Sequence, residues 1–248
     1  MTEGASSKRV ALVTGAGRAQ GIGFEVCRQL GQRGMTVLLT ARDAAQADQA
    51  AQSLVAGGLD IRPFALDVTQ EASVQQLAAT ISQDFGRLDI LINNAGAYAN
   101  WAETPTNTDL AAAHAILETN LFGAWRLIQA LLPLIRQSQH PRIVNVSSGA
   151  GSHGDLQFGL TTGGGSVASY GISKAALNAL TAKFAAELAG SPVLINAVCP
   201  GFTATAPGME AMGARPVAEG AQSVIWAAML PDDGPTGGFF RDGQPLPW

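Results

Sequence analysis

A chain of 248 residues, 47% hydrophobic and 14% charged, has material for one sizeable core and little reason to be disordered. Its formal charge is −4 and its 15 lysines and arginines are scattered, with no basic block to neutralise a row of phosphates, which argues against a nucleic-acid partner. The N-terminal MTEGASSKR leads into an apolar run, Val10 to Val13, too short for a signal-peptide core or a membrane span, so a cytoplasmic protein without a membrane partner is expected.

In chain order, Val10 to Thr14 reads as a buried strand, and the pattern after Gly21 places Ile22, Val26 and Leu30 on one helix face before stopping at Gly34. Met35 to Thr40 is the next apolar run. Strand, glycine turn, helix and strand make a βαβ unit. The alternation continues with a strand over Ile61 to Val68, a helix over Glu71 to Phe85 and a strand over Leu88 to Asn93. A helix over Leu110 to Arg136, a strand over Arg142 to Ser147, a helix from about Ser169 to Leu188 and a strand over Val193 to Val198 follow. The runs DILINN, RIVNVSS and VLINAV are almost continuously apolar, as expected of parallel strands buried on both faces. The expected fold is a single α/β domain over residues 1–248, of the Rossmann-type doubly wound class, its mainly parallel sheet covered by helices on both faces. Ligands of such sheets collect outside the carboxyl ends of the strands, so the residues closing each apolar run are the candidates. Cys27 and Cys199, without a histidine cluster beside them, point to neither a disulfide framework nor a metal site.

TGAGRAQGIG, Thr14 to Gly23, closes the first strand and opens the first helix. Gly15, Gly21 and Gly23 allow a tight turn and close approach to a pyrophosphate, which the free amides from Ile22 onward would face. No Gly-Lys-Ser/Thr ending follows, so a nucleotide-hydrolysing loop is disfavoured. The second strand ends Ala41-Arg42-Asp43. A carboxylate there would hold a ribose 2′-hydroxyl and an arginine a 2′-phosphate. Ala41 removes the expected acid, and Arg42, with Arg18 as a possible second cation, favours NADP(H); Asp43 keeps NAD(H) open. Asp67 and Val68 close the third strand, where Asp67 could accept from an adenine amino group. Asn93, Asn94, Ala95 and Gly96 close the fourth with residues small enough for an adenosine ribose to pass.

Tyr170 and Lys174 lie four apart at a helix start, on one face. A nearby ammonium and a cationic nicotinamide would favour the phenolate and let the pair exchange a proton with a carbonyl or alcohol oxygen. Thr14-Gly15 with Gly21-Ile22-Gly23, Asn93-Asn94-Ala95-Gly96, Asn120 in TNLFG, Ser148 in NVSSGAG, Tyr170 to Lys174, and Pro200-Gly201 with Thr205 together resemble the short-chain dehydrogenase/reductase family over nearly the whole chain. The LLTARD and C-terminal segments are similar to its carbonyl-reductase-like branch. The resemblance implies Tyr170 as acid/base, Lys174 also on the nicotinamide ribose, Ser148 polarising the substrate oxygen and Asn120 anchoring a water relay to Lys174. It further implies Pro200, Gly201 and Thr205 at the nicotinamide carboxamide, and a homo-oligomer, tetramer or dimer, paired through helices starting near Leu110 and Tyr170. Strand alternation would turn only one of Ser147 and Ser148 toward the crevice, and the family register selects Ser148.

The implied function is transfer of hydride from NADPH to a ketone or aldehyde. An NAD(H)-linked secondary alcohol dehydrogenase is the alternative, and a non-catalytic dinucleotide-binding regulator the more distant one. Three features depart from the family pattern: two extra residues between Gly15 and Gly21, glutamine at position 20, and a 22-position spacing from Ser148 to Tyr170. Segment 149–169 and a possible lid, 201–216, are expected to shape the substrate pocket. Phe158, Leu160 and Trp101 offer apolar surface if they turn inward.

Overall fold

The computed structural model describes residues 8–248. Eight strands form one sheet: β1 (Val10–Val13), β2 (Thr36–Ala41), β3 (Ile61–Ala65), β4 (Ile90–Asn93), β5 (Arg142–Val146), β6 (Leu194–Val198), β7 (Phe239–Arg241) and β8 (Gln244–Pro245). Their spatial order is β3-β2-β1-β4-β5-β6-β7-β8, parallel except for the antiparallel β7/β8 pair. The chain builds outward from β1 to β3, then returns to place β4 on the other flank of β1. A crevice opens at that reversal, between the ends of β1 and β4.

Alternation along the strands feeds two cores. Ala11 and Val13 of β1 and Ile90 and Ile92 of β4 enter one. Val10 and Leu12 with Leu91 enter the other. Helices α1 (Ile22–Gln32), α2 (Ala44–Ala56) and α7 (Val217–Ala228) cover the first face; α3 (Glu71–Phe85), α5 (Ala124–Ile135) and α6 (Ala168–Glu187) cover the second. Leu12, Leu38, Ile90, Leu91 and Ile92 are completely buried, each contributing about 1.5–3 kcal/mol to holding the layers together. Among the described residues no helix is long and apolar enough to cross a membrane.

The predicted strands and the helix over Glu71–Phe85 are present, with β3 ending three residues earlier than expected, where Leu66 leaves the ladder. Helix α2, helix α7 and the β7/β8 hairpin were not anticipated. Helix α2 buries Ala47, Ala50, Ala51 and Leu54, a face of small residues that gives little hydrophobic contrast in sequence. The long helix expected over Leu110–Arg136 is three pieces: α4 (Leu110–Leu117), a π-helical turn (Glu118–Gly123) and α5. Insertion of such a turn displaces the helical register, and Asn120 lies within it.

Candidate active site

The glycine run is built around Thr14. Its hydroxyl accepts the amides of Asn94 and Ala95, each at 2.9 Å, and Asn94 Nδ2 donates to the carbonyls of Thr14 at 2.7 Å and Gly15 at 3.2 Å. The end of β4 is thereby clamped to the turn after β1. Gly15 has φ +65°, and a Cβ there would lie 2.7 Å from Ala95 Cα. Gly23 packs so closely that a Cβ would sit 2.5 Å from Asn94 Nδ2. Gly21 caps α1 without a side-chain acceptor, leaving the first-turn amides at Ile22, Gly23 and Phe24 for an anion. This glycine cradle fits a dinucleotide pyrophosphate.

The two extra residues of the run form a turn closed by the Gly21 amide on the Arg18 carbonyl at 2.8 Å. Arg18, Ala19 and Gln20 are exposed and face Thr205, Ala206 and Pro207 across a cleft of about 330 Å³. The extension thus lies against the segment after β6.

At the tip of β2, Ala41 is buried, and a Cβ on Gly17 would lie 2.7 Å from its methyl, so the glycine turn packs directly on the strand end. Asp43 caps α2, accepting the Gln46 amide at 2.9 Å. Arg42 is exposed and, among the described residues, has no ion-pair or hydrogen-bond partner. The competing acid is occupied and the cation is free. Asp67 spends one carboxylate oxygen on the amide and hydroxyl of Thr69, at 3.0 and 2.8 Å, and the Val68 carbonyl accepts from Arg126 at 2.8 Å. Gly96 places its backbone beside Asn120 Oδ1 and Lys174 Nζ.

On the other side of the crevice, α6 carries Tyr170 and Lys174. Lys174 is buried, its Nζ donating to the Val146 carbonyl at 2.8 Å and standing 5.6 Å from the Tyr170 ring centroid. The Ser148 hydroxyl accepts the Ala150 amide at 3.2 Å and favours ionisation of the neighbouring Tyr170 phenol. Ser147 turns the other way, donating to Asn178 Oδ1 at 2.5 Å, so alternation sorts the two serines as expected. Asn120 is buried and fully engaged: Oδ1 accepts the Ala97 amide at 2.7 Å, and Nδ2 donates to the Ala97 carbonyl and to Ser173 Oγ, both at 2.9 Å. Its side chain is a clamp between the loop after β4 and α6.

The electrostatics differ from expectation. Burial pushes the Tyr170 phenol above its ordinary pKa, the neighbouring Tyr98 phenol adds to the rise electrostatically, and Ser148 only partly opposes it. Burial also pulls the Lys174 ammonium down to about 8, against the effect of Cys199. The ammonium and a cationic nicotinamide were expected together to favour the phenolate; in the protein alone burial acts the other way and favours the protonated phenol.

Sequence reasoning missed the groups that hold this pair. Asn93 donates to Asn145 at 2.8 Å and Asn145 to Thr181 at 2.9 Å, so a buried polar ladder joins β4 and β5 to the face of α6 that also carries Lys174 and Asn178. The period of 174, 178 and 181 was the available signal. Glu103 accepts the amide and hydroxyl of Ser169 at 3.0 and 2.9 Å, securing the start of α6 after Val167, whose φ is +50°.

Segment 149–169 is folded against the C-terminal strands. Asp155 accepts the amides of Gln157 and Phe158 and pairs with Arg241 at 2.7 Å; Ser152 donates to the Pro247 carbonyl at 2.6 Å. Phe158 and Leu160 line a cavity of about 110 Å³ with Pro105, Val167 and Ile172, and Phe158 meets Phe202 at 6.2 Å between centroids. Trp101 remains exposed. After β6, Pro200 accepts from Arg215 Nε at 2.8 Å, and Thr203 bridges Arg215, which pins the base of segment 201–216.

Burial raises the Asp155 carboxyl, but the amides of Phe158 and Gln157 and the Arg241 guanidinium more than offset this, so its pKa is lowered on folding. A lowered folded value means that its contribution is present above the ordinary aspartate range and is lost as pH falls through the folded value. Asp155→Asn is expected to cost about 1–3 kcal/mol in urea unfolding near neutral pH, with the difference from the unchanged protein narrowing under acid.

The model of the short chain dehydrogenase family matches residues 9–214. The chain belongs to that family. It is 35% identical to short-chain dehydrogenase/reductase 1 of Saponaria officinalis, covering 98% of this chain and 97% of that protein. It is 34% identical to carbonyl reductase [NADPH] 3 of Rattus norvegicus, covering 98% and 99%. The NADPH-bound carbonyl reductase from chicken fatty liver superposes with a TM-score of 0.84 at 28% identity, covering 97% of this chain and 99% of that one. This short-chain dehydrogenase is accordingly an oxidoreductase, with a nicotinamide dinucleotide as the cofactor its glycine cradle fits.

Proposed function

We propose that this enzyme reduces a ketone or aldehyde with NADPH, Tyr170 protonating the carbonyl oxygen. The observation that carries the reading is the convergence of the half-buried Tyr170 with Ser148 and the buried Lys174 at the strand ends beside the glycine cradle. The likeness to carbonyl reductases and the unpaired Arg42 support the choice of NADPH.

The amides of α1 and the Gly15 turn would hold the pyrophosphate, Arg42 the 2′-phosphate, Asp67 and Val68 the adenine, and Asn94, Ala95 and Gly96 the adenosine ribose. Lys174 would hold the nicotinamide ribose, and Pro200, Gly201 and Thr205 the carboxamide end, with Arg18 across the cleft from Thr205. The bound cofactor supplies hydride to the carbonyl carbon. Ser148 orients the substrate oxygen toward the Tyr170 hydroxyl, which gives up its proton as charge develops on that oxygen. Lys174 stabilises the resulting phenolate. Both oxygen and nitrogen of the Asn120 side chain are engaged, so in this reading it supports the relay by holding the loop after β4 against α6. Segments 149–169 and 201–216 shape the substrate pocket.

Assay of a panel of ketones, aldehydes and alcohols with both cofactors tests this reading. NADPH-dependent carbonyl loss is expected; alcohol oxidation with strong NADH/NAD⁺ preference would make the protein an alcohol dehydrogenase instead. A homo-oligomer through the face bearing Phe122, Trp125 and Ile172, all exposed, is the matching assembly. Light scattering would give a dimer or tetramer mass, and a monomer mass would reject it.

A further inference from the structure

We propose that Tyr98 is a positioning residue for the reaction: its ring is a stacking platform that fixes the phenol of Tyr170 and governs how readily that phenol gives up its proton. The inference rests on the reading of Tyr170 as the acid.

Tyr98 lies in the loop after β4, 72 positions from Tyr170 in sequence. The two rings stack with centroids 5.2 Å apart and an interplanar angle of 21°. Such an offset pair is an attractive arrangement for aromatic quadrupoles. Tyr98 is nevertheless 67% exposed, so its ring is not placed there by burial in the core. What places it is the backbone beside it: Asn120 grips both the amide and the carbonyl of Ala97, the preceding residue. The same Asn120 amide group donates to Ser173 Oγ, which donates in turn to the Tyr170 carbonyl at 2.7 Å. One side chain therefore sets the loop bearing Tyr98 and the helix turn bearing Tyr170, and the stacked rings close the circuit. Asn120 itself lies in the π turn between α4 and α5.

Three groups act on the Tyr170 hydroxyl from the elements around it. Tyr98 from the loop after β4 and Cys199 at the end of β6 disfavour its ionisation, and Ser148 after β5 favours it. Lys174 on α6 stands on the same ring. Arg18, in the glycine turn, bears on Tyr98 itself. Removing the Tyr98 ring takes away both an apolar cover and a group that opposes the phenolate, and both changes ease ionisation. The direction of the effect is therefore defined.

The test uses the full chain with Tyr98→Ala and Tyr98→Phe, alongside Tyr170→Phe as a separate control. Tyr98→Ala is expected to lower kcat for carbonyl reduction about 2- to 10-fold, the worth of one aromatic pair, with KM for NADPH and for the carbonyl within about twofold. With the alcohol and oxidised cofactor, the acid limb of its pH–kcat profile should move to lower pH. Tyr98→Phe keeps the stacked ring but not the hydroxyl, so it should restore kcat and return the limb part of the way. An unmoved limb with unchanged kcat overturns the proposal, as does a change confined to KM, which would make Tyr98 a substrate contact. Equal damage in the Phe variant would overturn it in favour of the hydroxyl. If Tyr170→Phe stays fully active, the failure lies in the acid assignment; if only the Tyr98 variants are silent, it lies in the platform.

Discussion

Tyr170→Phe is expected to lower turnover by about 10²- to 10⁴-fold, the range spanned by a positioned general acid. The phenyl ring keeps the shape of the side chain and its stacking on Tyr98, but loses the hydroxyl whose ionisation Ser148 favours. Binding of NADPH, followed by quenching of tryptophan fluorescence or by calorimetry, should stay within about threefold, because the glycine cradle, Arg42 and Lys174 are untouched. Loss of turnover with binding preserved separates the proton-transfer role from a structural one. Full activity would assign the proton to another group.

Arg42→Ala is the second large effect. Arg42 stands at the end of β2 without an internal partner among the described residues, whereas Asp43 is committed to the Gln46 amide and Ala41 offers no competing carboxylate. A charge-assisted hydrogen bond to a 2′-phosphate is worth about 1.5 kcal/mol or more, so kcat/KM for NADPH should fall at least about tenfold while that for NADH changes by less than about twofold. The effect on NADPH should shrink at high salt, since the cation is solvent-exposed. Equal losses with both cofactors would mean that Arg42 acts on the loop and not on the phosphate.

Much of the fold is legible in the residues. The unbroken apolar runs ending in Asn93, Ser147 and Val198 announce parallel strands covered on both faces, and the polar residues that close them mark the crevice. Ser148 is singled out by alternation together with the family register, and Tyr170 with Lys174 by helical spacing together with the family motif. What stayed hidden was structure without local contrast. Helix α2 buries alanines, and the π turn adds no residue type that a heptad or 3.6-residue pattern would reject. The partners of α6, from Glu103 to Thr181, and the Tyr98 platform are brought together only by long-range folding. The direction of the Tyr170 pKa was equally out of reach, since a nearby lysine is visible in sequence and desolvation is not.

The central claim is that hydride passes from NADPH to a carbonyl carbon while Tyr170 supplies the proton. Incubating the protein with NADPH deuterated at nicotinamide C4 and its best carbonyl substrate, then examining the alcohol by mass spectrometry and NMR, tests it directly. The account predicts that preparations deuterated on one or the other face of C4 will differ, one giving an alcohol with a single deuterium on the carbinol carbon. Alcohol free of deuterium from both preparations, or cofactor bound with no alcohol formed from any carbonyl offered, would contradict it.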